Sequence, residues 1–499
     1  MKHLPAAALA ALLTLAALTA CGSDTSVPAE TTGVTETTVP VTEAADNSTP
    51  SISQLTPEDF GGAEFRIYTS NTINGINLPT TLNYGAEETG EVVNDALYAR
   101  DRWMEETYNV VMQYTVDDTT SAGNMHTLLS KNILAGDDVY DLIIQDLAQV
   151  ARGLADANCI YPLNYIDTIN LDRDYWMPDL NEQLKIGGNL FFSSSAISPR
   201  YYGSVYVLLF NRELAANLDL PDLYELVTRG EWTLDRMMEC ARAALADTSG
   251  DGKITDDDTV GMMYEVLTPE SLVMGAGYHY VQNVNGTLTV MLDDPDVVSL
   301  MQKITAFLQE DCVVRDGHGS TFDAEKAINN GTFLFYNPCT FNLAGLRDLP
   351  YDYGILPMPK KDAAQESYIG YSQPWASACP VVPITVVGDR LSMTGTLTDA
   401  MAAYGYDCIR PAVFENVIQL KGARDEKSGQ IIDMMFENIT FELTSILNFG
   451  KLNSELQRHF TTGLGKKDIV TVYAAIADAT DSAVADIVEQ YASFEDKLG

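Results

Sequence analysis

The strongest constraint on the fold is an alternation of strand and helix patterns between residues 64 and 145. Residues 64–68 alternate apolar and polar side chains as a strand does, and residues 140–145 form a continuous β-rich apolar run. Between them, the spacing of apolar residues predicts a helix over 92–108, a strand over 109–115 and a helix over 125–134. Because strands joined by helices pair in parallel, the pattern predicts an α/β lobe.

In a parallel sheet, ligands bind beyond the carboxyl ends of the strands. Asn71 follows the first predicted strand, and Gln145 and Asp146 end the third. These side chains are therefore candidate ligand contacts. Asp146 has an alternative role as the cap of a following helix.

The length of the chain predicts two lobes. Without its first 59 residues, the 499-residue chain keeps about 440, more than one ordinary core holds. We therefore expect a second lobe after the first.

The N-terminus has the features of an export signal. Lys2 and His3 precede an apolar run over residues 4–18, and the small residues Thr19 and Ala20 lead to Cys21. The pattern resembles the lipobox of bacterial lipoproteins. Residues 1–20 are then a signal peptide, and Cys21 carries the lipid that holds the protein on the outer face of the cytoplasmic membrane. An ordinary secretory signal beside a cysteine is the alternative; the run is too short for a membrane-spanning helix.

The segment after the lipobox is predicted to be a tether. Residues 22–59 are rich in Thr, Ser, Val, Pro and Glu and contain no Lys or Arg. Such a composition does not bury enough apolar surface to offset its ordering entropy, so we expect a disordered acidic spacer. A docked arm is the alternative.

The negative net charge of the chain excludes some classes of binding partner. The chain has 70 acidic and 30 basic residues and a net charge of −40, which would repel nucleic acid and an anionic lipid surface alike. No nucleotide-binding, nucleophile-elbow or zinc-binding motif is present, so we expect neither an enzyme nor an organic cofactor.

The spacing of the cysteines does not decide whether they form disulfides. Six cysteines follow Cys21, at wide spacings and without a CxxC pair. An extracellular location permits disulfides, but buried free thiols are an equal alternative.

Several segments, in their order and spacing, resemble one family: the family 1 extracellular solute-binding lipoproteins of ABC importers in Gram-positive bacteria. The resemblance covers nearly all of the mature body. The segments that carry it are 65–71 with 90–110, 136–143, 231–235, 354–360, 410–415 and 424–428.

The resemblance implies a type II periplasmic-binding-protein-like fold, in which two lobes close on a ligand by hinge motion. It implies a monomer that captures a small solute, a sugar or oligosaccharide, and delivers it to importer permease subunits. The implied boundaries are 60–195 and 353–404 for lobe one, 206–340 and 410–499 for lobe two, and 196–205, 341–352 and 405–409 for the crossings.

A sugar-binding site typically contains aromatic rings, which cover the C–H faces of the sugar. It also contains amides and carboxylates, which form hydrogen bonds with the sugar hydroxyls. Each candidate also has the alternative role of packing at the edge of the core. The candidate ligand-binding residues are Asn71, Gln145, Asp146, Tyr201, Tyr202, Tyr278, Tyr336, Asn337, Tyr371, Gln373 and Trp375.

One local sequence motif is typical of a calcium-binding loop. Residues 247–258 match the twelve-residue calcium loop, with oxygen ligands at odd spacing and a turn at Gly252. The expected ion is structural, and the alternative is a solvated turn. The candidate ligands are Asp247, Ser249, Asp251, the carbonyl of Lys253, and Asp258.

Two other functions remain open. The many carboxylates could include a pair that hydrolyses glycosides at the cell surface, although no pair stands out. A surface adhesin without a transport role is the third possibility.

Overall fold

The computed structural model describes residues 50–72, 82–119, 122–284, 286–316, 322–346, 348–420 and 426–495. The predicted signal, Cys21 and spacer residues 22–49 lie outside this part of the chain.

The described strands follow the chain in this order: β1 (Ala63–Thr69), β2 (Val110–Val116), β3 (Leu142–Asp146), β4 (Leu208–Asn211), β5 (Val260–Tyr264), β6 (Val281–Val284), β7 (Thr287–Val290), β8 (Val313–Arg315), β9 (Phe333–Tyr336), β10 (Tyr353–Leu356), β11 (Gly370–Tyr371), β12 (Ala378–Val381) and β13 (Ile439–Thr440).

The described helices are α1 (Val92–Tyr108), α2 (Ala122–Leu134), α3 (Leu147–Gln149), α4 (Pro178–Leu184), α5 (Arg200–Gly203), α6 (Arg212–Asn217), α7 (Leu223–Thr228), α8 (Leu234–Ala244), α9 (Thr268–Gly275), α10 (Pro295–Phe307), α11 (Ala324–Asn330), α12 (Asp389–Tyr404), α13 (Arg410–Leu420), α14 (Glu426–Glu437), α15 (Leu443–Leu447), α16 (Leu452–His459), α17 (Ile469–Ala474) and α18 (Ala477–Ala492). Single π-helical segments cover Val150–Ala155 and Gly405–Ile409.

The first lobe is built on a four-stranded sheet with the order β12-β3-β1-β2. Strand β1 pairs in parallel with β2 and β3, and β12 runs antiparallel to β3. Helix α1 starts where the side chain of Glu91 accepts from Asn94 N, and it buries Val93, Leu97 and Met104. The alternation of strand and helix in the sequence therefore produces the α/β architecture that it predicts.

The second lobe is built on a five-stranded sheet with the order β10-β4-β9-β5-β8. Strand β5 is parallel to β8 and β9, whereas β4 is antiparallel to β9 and β10. Trp232 is buried against Phe335, and its indole nitrogen donates to the carbonyl of Pro357. Thr233 caps α8 by accepting from Arg236 N.

Within the described residues, three segments connect the lobes. Residues 197–207 lead from the first lobe into β4, and residues 357–377 lead back from β10 to β12. These two run side by side, since Tyr206 N donates to Tyr371 O over 2.8 Å. The third continues from α12 through the π-helical turn at Gly405, where an added Cβ would lie 2.1 Å from the carbonyl oxygen of Ala196.

The position of the second crossing differs from the expected one. Residues 353–356 were expected in lobe one, but β10 pairs with β4, with Leu356 opposite Leu208. The segment therefore belongs to the second sheet, and the chain crosses after it and not at 341–352. The physical reason is that a short apolar strand joins whichever sheet edge offers it backbone partners, which the local sequence does not encode.

The C-terminal segment also departs from the expected boundaries. Tyr491, expected in lobe two, packs on Phe191 with ring centroids 4.5 Å apart and donates its hydroxyl to Asp156. Asn189 donates to the carbonyl of Tyr491. The end of α18 is thus bound to lobe-one residues.

The last part of the predicted spacer is ordered. Within residues 50–59, Ile52 N donates to the Asp407 carboxylate over 2.9 Å, and Gln54 accepts from Arg173. The adjoining Phe60 stacks on Tyr108. Residues 50–59 form a docked arm, because Ile52, Leu55 and the adjoining Phe60 pack against the hydrophobic core.

Two further expectations concern membranes and thiols. No helix among the described residues is long and apolar enough to span a bilayer. The six cysteines after Cys21 are free thiols, and all except Cys408 are buried.

Candidate functional site

In both sheets, polar residues at the carboxyl ends of the strands lie next to the crossing segments. The carboxyl edge of the first sheet ends at Gln145 and Asp146, beside the first crossing. On the second sheet, Glu265, Asp316 and Asn337 directly follow the parallel strands β5, β8 and β9. The same edge carries the start of β4, which the crossing enters, so both edges border one region.

Asp146 and Arg200 form a buried ion pair in this region. Arg200 also donates through Nε to the carbonyl of Ala376 over 2.7 Å, whereas its Nη1 is buried without a hydrogen-bond partner among the described residues. Burial raises the pKa of Asp146, and Arg200 opposes that shift. The Asp146 side chain makes no capping hydrogen bond to α3, so the helix-cap alternative is wrong.

Other buried polar atoms near the crossings also lack partners. Gln145 Nε2 and Ser204 Oγ are buried with no hydrogen-bond partner in the described part of the chain. Buried polar groups are almost always paired, by protein, water or ligand. Together with Arg200 Nη1, these atoms mark hydrogen-bonding capacity that the protein itself does not use.

Two stacked tyrosines fasten the crossings to the second lobe. The rings of Tyr206 and Tyr371 are 5.7 Å apart at an interplanar angle of 11°. Tyr206 donates its hydroxyl to Glu265, and Tyr371 donates its hydroxyl to Glu270. The two adjacent crossings are therefore hydrogen-bonded to the second lobe through two carboxyl groups. Glu265 directly follows β5, and Glu270 lies on α9.

Glu270 has an unusual environment for a carboxylate. It is buried, accepts from Ser445 Oγ over 2.6 Å, and makes no ion pair among the described residues. Burial is the main cause that raises its pKa to about 7, and the hydrogen bonds from Ser445 and Tyr371 oppose that shift. The carboxyl group therefore titrates near neutral pH.

Trp375 is half-buried at the same place, but one face of its indole ring is covered. The Arg152 guanidinium lies 4.5 Å from the ring centroid. Arg152 also donates to the carbonyls of Ser445 and Ile446, both over 2.7 Å. Burial lowers the pKa of Arg152 to about 10. A cation stacked in this way holds the indole in one orientation.

Gln373 and Tyr336 remain partly exposed. Gln373 Nε2 lies 3.0 Å from the Cys339 sulfur, and Gln373 N donates to the carbonyl of Ser204. Tyr336 ends β9 and is half-buried. The structure thus brings Gln145, Asp146, Tyr371, Gln373, Trp375 and Tyr336 to the strand ends and crossings.

The remaining candidates have other contacts. Tyr201 and Tyr202 are buried against Phe441 and Phe436. Asn337 is buried and donates to the carbonyl of Val207. These three side chains pack the base of the crossings.

Asn71 and Tyr278 make contacts away from the strand ends. The Asn71 side chain accepts from Asn83 N and donates to the carbonyl of Tyr84, which holds the chain before α1. Tyr278 contacts Lys361 through its hydroxyl and ring. The Asn71 contacts do not reach the crossings, whereas Lys361 belongs to the segment 357–377, so Tyr278 contacts the start of the second crossing.

Sequence reasoning missed Arg152, Arg200, Glu265 and Glu270. A signal was present for two of them. Arg152 is a rare cation soon after a predicted strand, and Arg200 directly precedes Tyr201 and Tyr202 in the first crossing. Glu265 and Glu270 follow β5, whose apolar run Val260–Tyr264 was not recognised as a strand.

The predicted calcium loop is closed by its own hydrogen bonds. Asp247 accepts from Gly250 N and Gly252 N, and Asp258 accepts from Ser249 N and Thr255 N. These bonds lower the pKa of Asp258 to about 2. Within the described ranges, no group of three or more His, Cys, Asp or Glu residues could hold a metal ion. Calcium binding stays a prediction.

No known protein family matches the chain by sequence, and no curated protein is similar to it. Solved structures with a similar fold are numerous. One is a cyclic α-maltosyl-1,6-maltose binding protein from Arthrobacter globiformis (12% identity, 85% of this chain, 100% of that chain, TM-score 0.53). The GacH receptor of Streptomyces glaucescens, whose study includes complexes with acarbose and a homologue, has 12% identity, covers 85% and 99%, and has a TM-score of 0.52.

A third is the ABC substrate-binding protein Lmo0181 from Listeria monocytogenes, in complex with cycloalternan (12% identity, 86% and 98% covered, TM-score 0.50). The likeness extends over nearly the whole of each of these chains. This chain therefore has the two-lobe α/β fold of ABC-transporter solute-binding proteins.

Proposed function

We propose that this chain is a lipid-anchored extracellular receptor that captures a sugar or oligosaccharide between its lobes and delivers it to an ABC importer. The observation that carries the proposal is the meeting of both strand edges at the crossings. There, Arg200 Nη1, Gln145 Nε2 and Ser204 Oγ are buried and have no hydrogen-bond partner among the residues that the structure describes. Hydrogen-bond donors beside a half-buried indole suit a ligand with hydroxyl rims and C–H faces.

The similar solved structures support the same class of ligand. Their descriptions name cycloalternan, acarbose, cyclic α-maltosyl-1,6-maltose and maltotetraose as the ligands of those proteins. Binding without turnover would also fit the absence of a catalytic motif from the sequence. The lipobox pattern at Cys21 supports anchoring on the outer face of the membrane.

The ligand class is tested by calorimetry with linear and cyclic malto-oligosaccharides, followed by chromatography of the recovered sugar. We expect saturable binding and unchanged sugar. Cleaved products would instead support the surface hydrolase. Absence of binding to every sugar would contradict the proposed ligand class.

Replacement of Trp375 by Ala tests the aromatic contact. We expect the affinity for the bound sugar to fall about tenfold or more, because the indole face is lost while the hydroxyl contacts remain. Tyr98→Ala is the matched control, since Tyr98 is a half-buried aromatic residue on α1 that contacts Arg102. Equal affinities of both variants and the wild type would remove Trp375 from the site.

Delivery to an importer is tested separately. We expect the sugar-loaded receptor to retain its cognate permease subunits in a pull-down and the Cys21→Ser protein to be released from the membrane into the medium. Retention of Cys21→Ser on the membrane would contradict the lipid anchor.

A further inference from the structure

The second lobe contains a cavity of about 400 Å³ next to the end of α16 and to α17. We refer to it as the basic cavity. Its wall includes Arg458, His459, Thr462, Lys466 and Lys467. It is separate from the crossings, since its wall includes none of the residues described at the strand ends.

The charge of this wall is opposite to that of the protein. The whole chain has 70 acidic and 30 basic residues, but residues 458–467 include two Lys, one Arg and one His and no Asp or Glu. Lys466 and Lys467 are exposed and form no ion pair within the described ranges. Arg458 is paired with Glu455, the one acidic residue in the wall. Two ammonium groups therefore line the cavity without an ion pair among the described residues, and Asp468 follows them in the chain.

His459 adds an unused hydrogen-bonding atom. Its Nε2 lies 3.1 Å from Thr305 Oγ1, and the Thr305 hydroxyl donates to the carbonyl of Met301 over 2.7 Å. The Thr305 oxygen therefore accepts from Nε2–H, which leaves Nδ1 of a neutral ring as an acceptor. Nδ1 is buried and has no partner in the described part of the chain.

Burial favours the neutral ring. It is the main cause that lowers the pKa of His459, and Asp468 opposes that shift. The wall of the basic cavity thus includes two ammonium donors and His459, whose enclosed Nδ1 lacks a proton donor among the described residues. Buried groups of this kind call for a partner from water or a ligand.

These requirements together define one ligand chemistry. A phosphate group that keeps one O–H has negative oxygens for the lysines and a proton donor for the imidazole. Sulfate has the negative oxygens but no O–H at neutral pH. We propose that the basic cavity is a binding site for inorganic phosphate or a phosphomonoester, independent of the solute site between the lobes.

The first test is calorimetric titration of the full chain with inorganic phosphate, at constant ionic strength, with sulfate as the comparison. We expect saturable binding of phosphate and at least about tenfold weaker binding of sulfate. Equal binding of the two anions, or no saturable phosphate binding, would overturn the proposal.

Variants locate the binding. Lys466→Gln/Lys467→Gln should weaken phosphate binding by about tenfold or more while leaving the unfolding temperature close to that of the wild type, because both side chains are exposed. Lys131→Gln/Lys185→Gln removes the same charge from the first lobe and should bind phosphate like the wild type. Equal loss in both double variants would show a general charge effect and overturn the site.

Two sources of the phosphate group are distinguished with vesicles. Phosphatidylcholine vesicles with phosphatidic acid present a phosphomonoester, whereas those with phosphatidylglycerol carry negative charge without a P–O–H group. Co-sedimentation of the wild type, but not of Lys466→Gln/Lys467→Gln, with phosphatidic acid alone would identify a lipid source. Binding of free phosphate without co-sedimentation would identify a soluble one. Equal co-sedimentation of the wild type and the double variant would contradict the site.

Discussion

At the scale of single residues, Glu270 combines a structural and an electrostatic role. Its carboxyl group accepts from Tyr371 on the crossing and from Ser445 on α15, and it has no cationic partner at hydrogen-bond distance among the described residues. A buried carboxylate without an ion pair is costly, so the proton is held more tightly in the folded protein.

The pH dependence of stability follows from that shift. The pKa of Glu270 is raised to about 7 in the folded protein, above its unfolded value of about 4.3. The folded state therefore binds more protons between these pH values, and the contribution of Glu270 to stability falls as pH rises through this window. It amounts to about 4 kcal/mol between the two limits.

Glu270→Gln should remove this contribution. We expect the difference in unfolding free energy between the variant and the wild type, measured by urea denaturation, to grow in favour of the variant from pH 5 to pH 8. Exposed Glu231→Gln is the control and should follow the wild type at every pH. Parallel curves for Glu270→Gln and the wild type would contradict the assignment.

At the scale of elements, the third crossing depends on a close approach of two backbones. Gly405 stands in the π-helical turn between α12 and α13, and its Cα faces the carbonyl of Ala196 at the start of the first crossing. No side chain fits there without moving one of the two segments.

Gly405→Ala should therefore destabilise the protein by about 1–3 kcal/mol through overpacking. Gly345→Ala is the control, because an added Cβ there meets no atom within 4 Å. Chemical denaturation measures both changes. A Gly405→Ala protein as stable as the control would show that the crossings separate easily.

The loop over residues 247–258 is the second element with a defined test. If calcium binds there, chelator should lower the unfolding temperature of the wild type, because an ion that binds only the folded state stabilises it. Asp251→Ala should abolish that response, whereas Asp172→Ala, an exposed residue outside the loop, should retain it. Identical melting with and without chelator would exclude an occupied, stabilising site.

At the scale of the whole molecule, ligand binding at the crossings implies closure. A ligand that contacts both sheet edges stabilises the closed arrangement by its difference in affinity for the two states. The contacts of Arg152 with Ser445 and Ile446 connect residues that follow β3 with α15 and are expected to change with that motion.

Small-angle X-ray scattering measures this closure directly. We expect the radius of gyration to decrease when a sugar that binds by calorimetry is added. Trp375→Ala at the same sugar concentration should show a smaller decrease, because less of it is bound. An unchanged radius in the saturated wild type would contradict the hinge mechanism.

Local pattern determined much of the architecture. The apolar spacing of residues 64–145 predicted β1, α1, β2, α2 and β3 within a few residues, and Thr233 is a typical N-cap residue at the start of α8. Such features depend on side chains a few positions apart, so the linear order of residues contains them.

Long-range pairing was decided only in the tertiary structure. Strand β10 joined the second sheet through β4, and residues 50–59 docked through contacts with distant positions. The roles of the aromatic candidates were decided in the same way: Tyr201 and Tyr202 are buried, whereas Trp375 is half-exposed beside Arg152. A local sequence indicates that a side chain is aromatic or a strand apolar, but the partner that covers it comes from elsewhere in the chain, and burial depends on that partner.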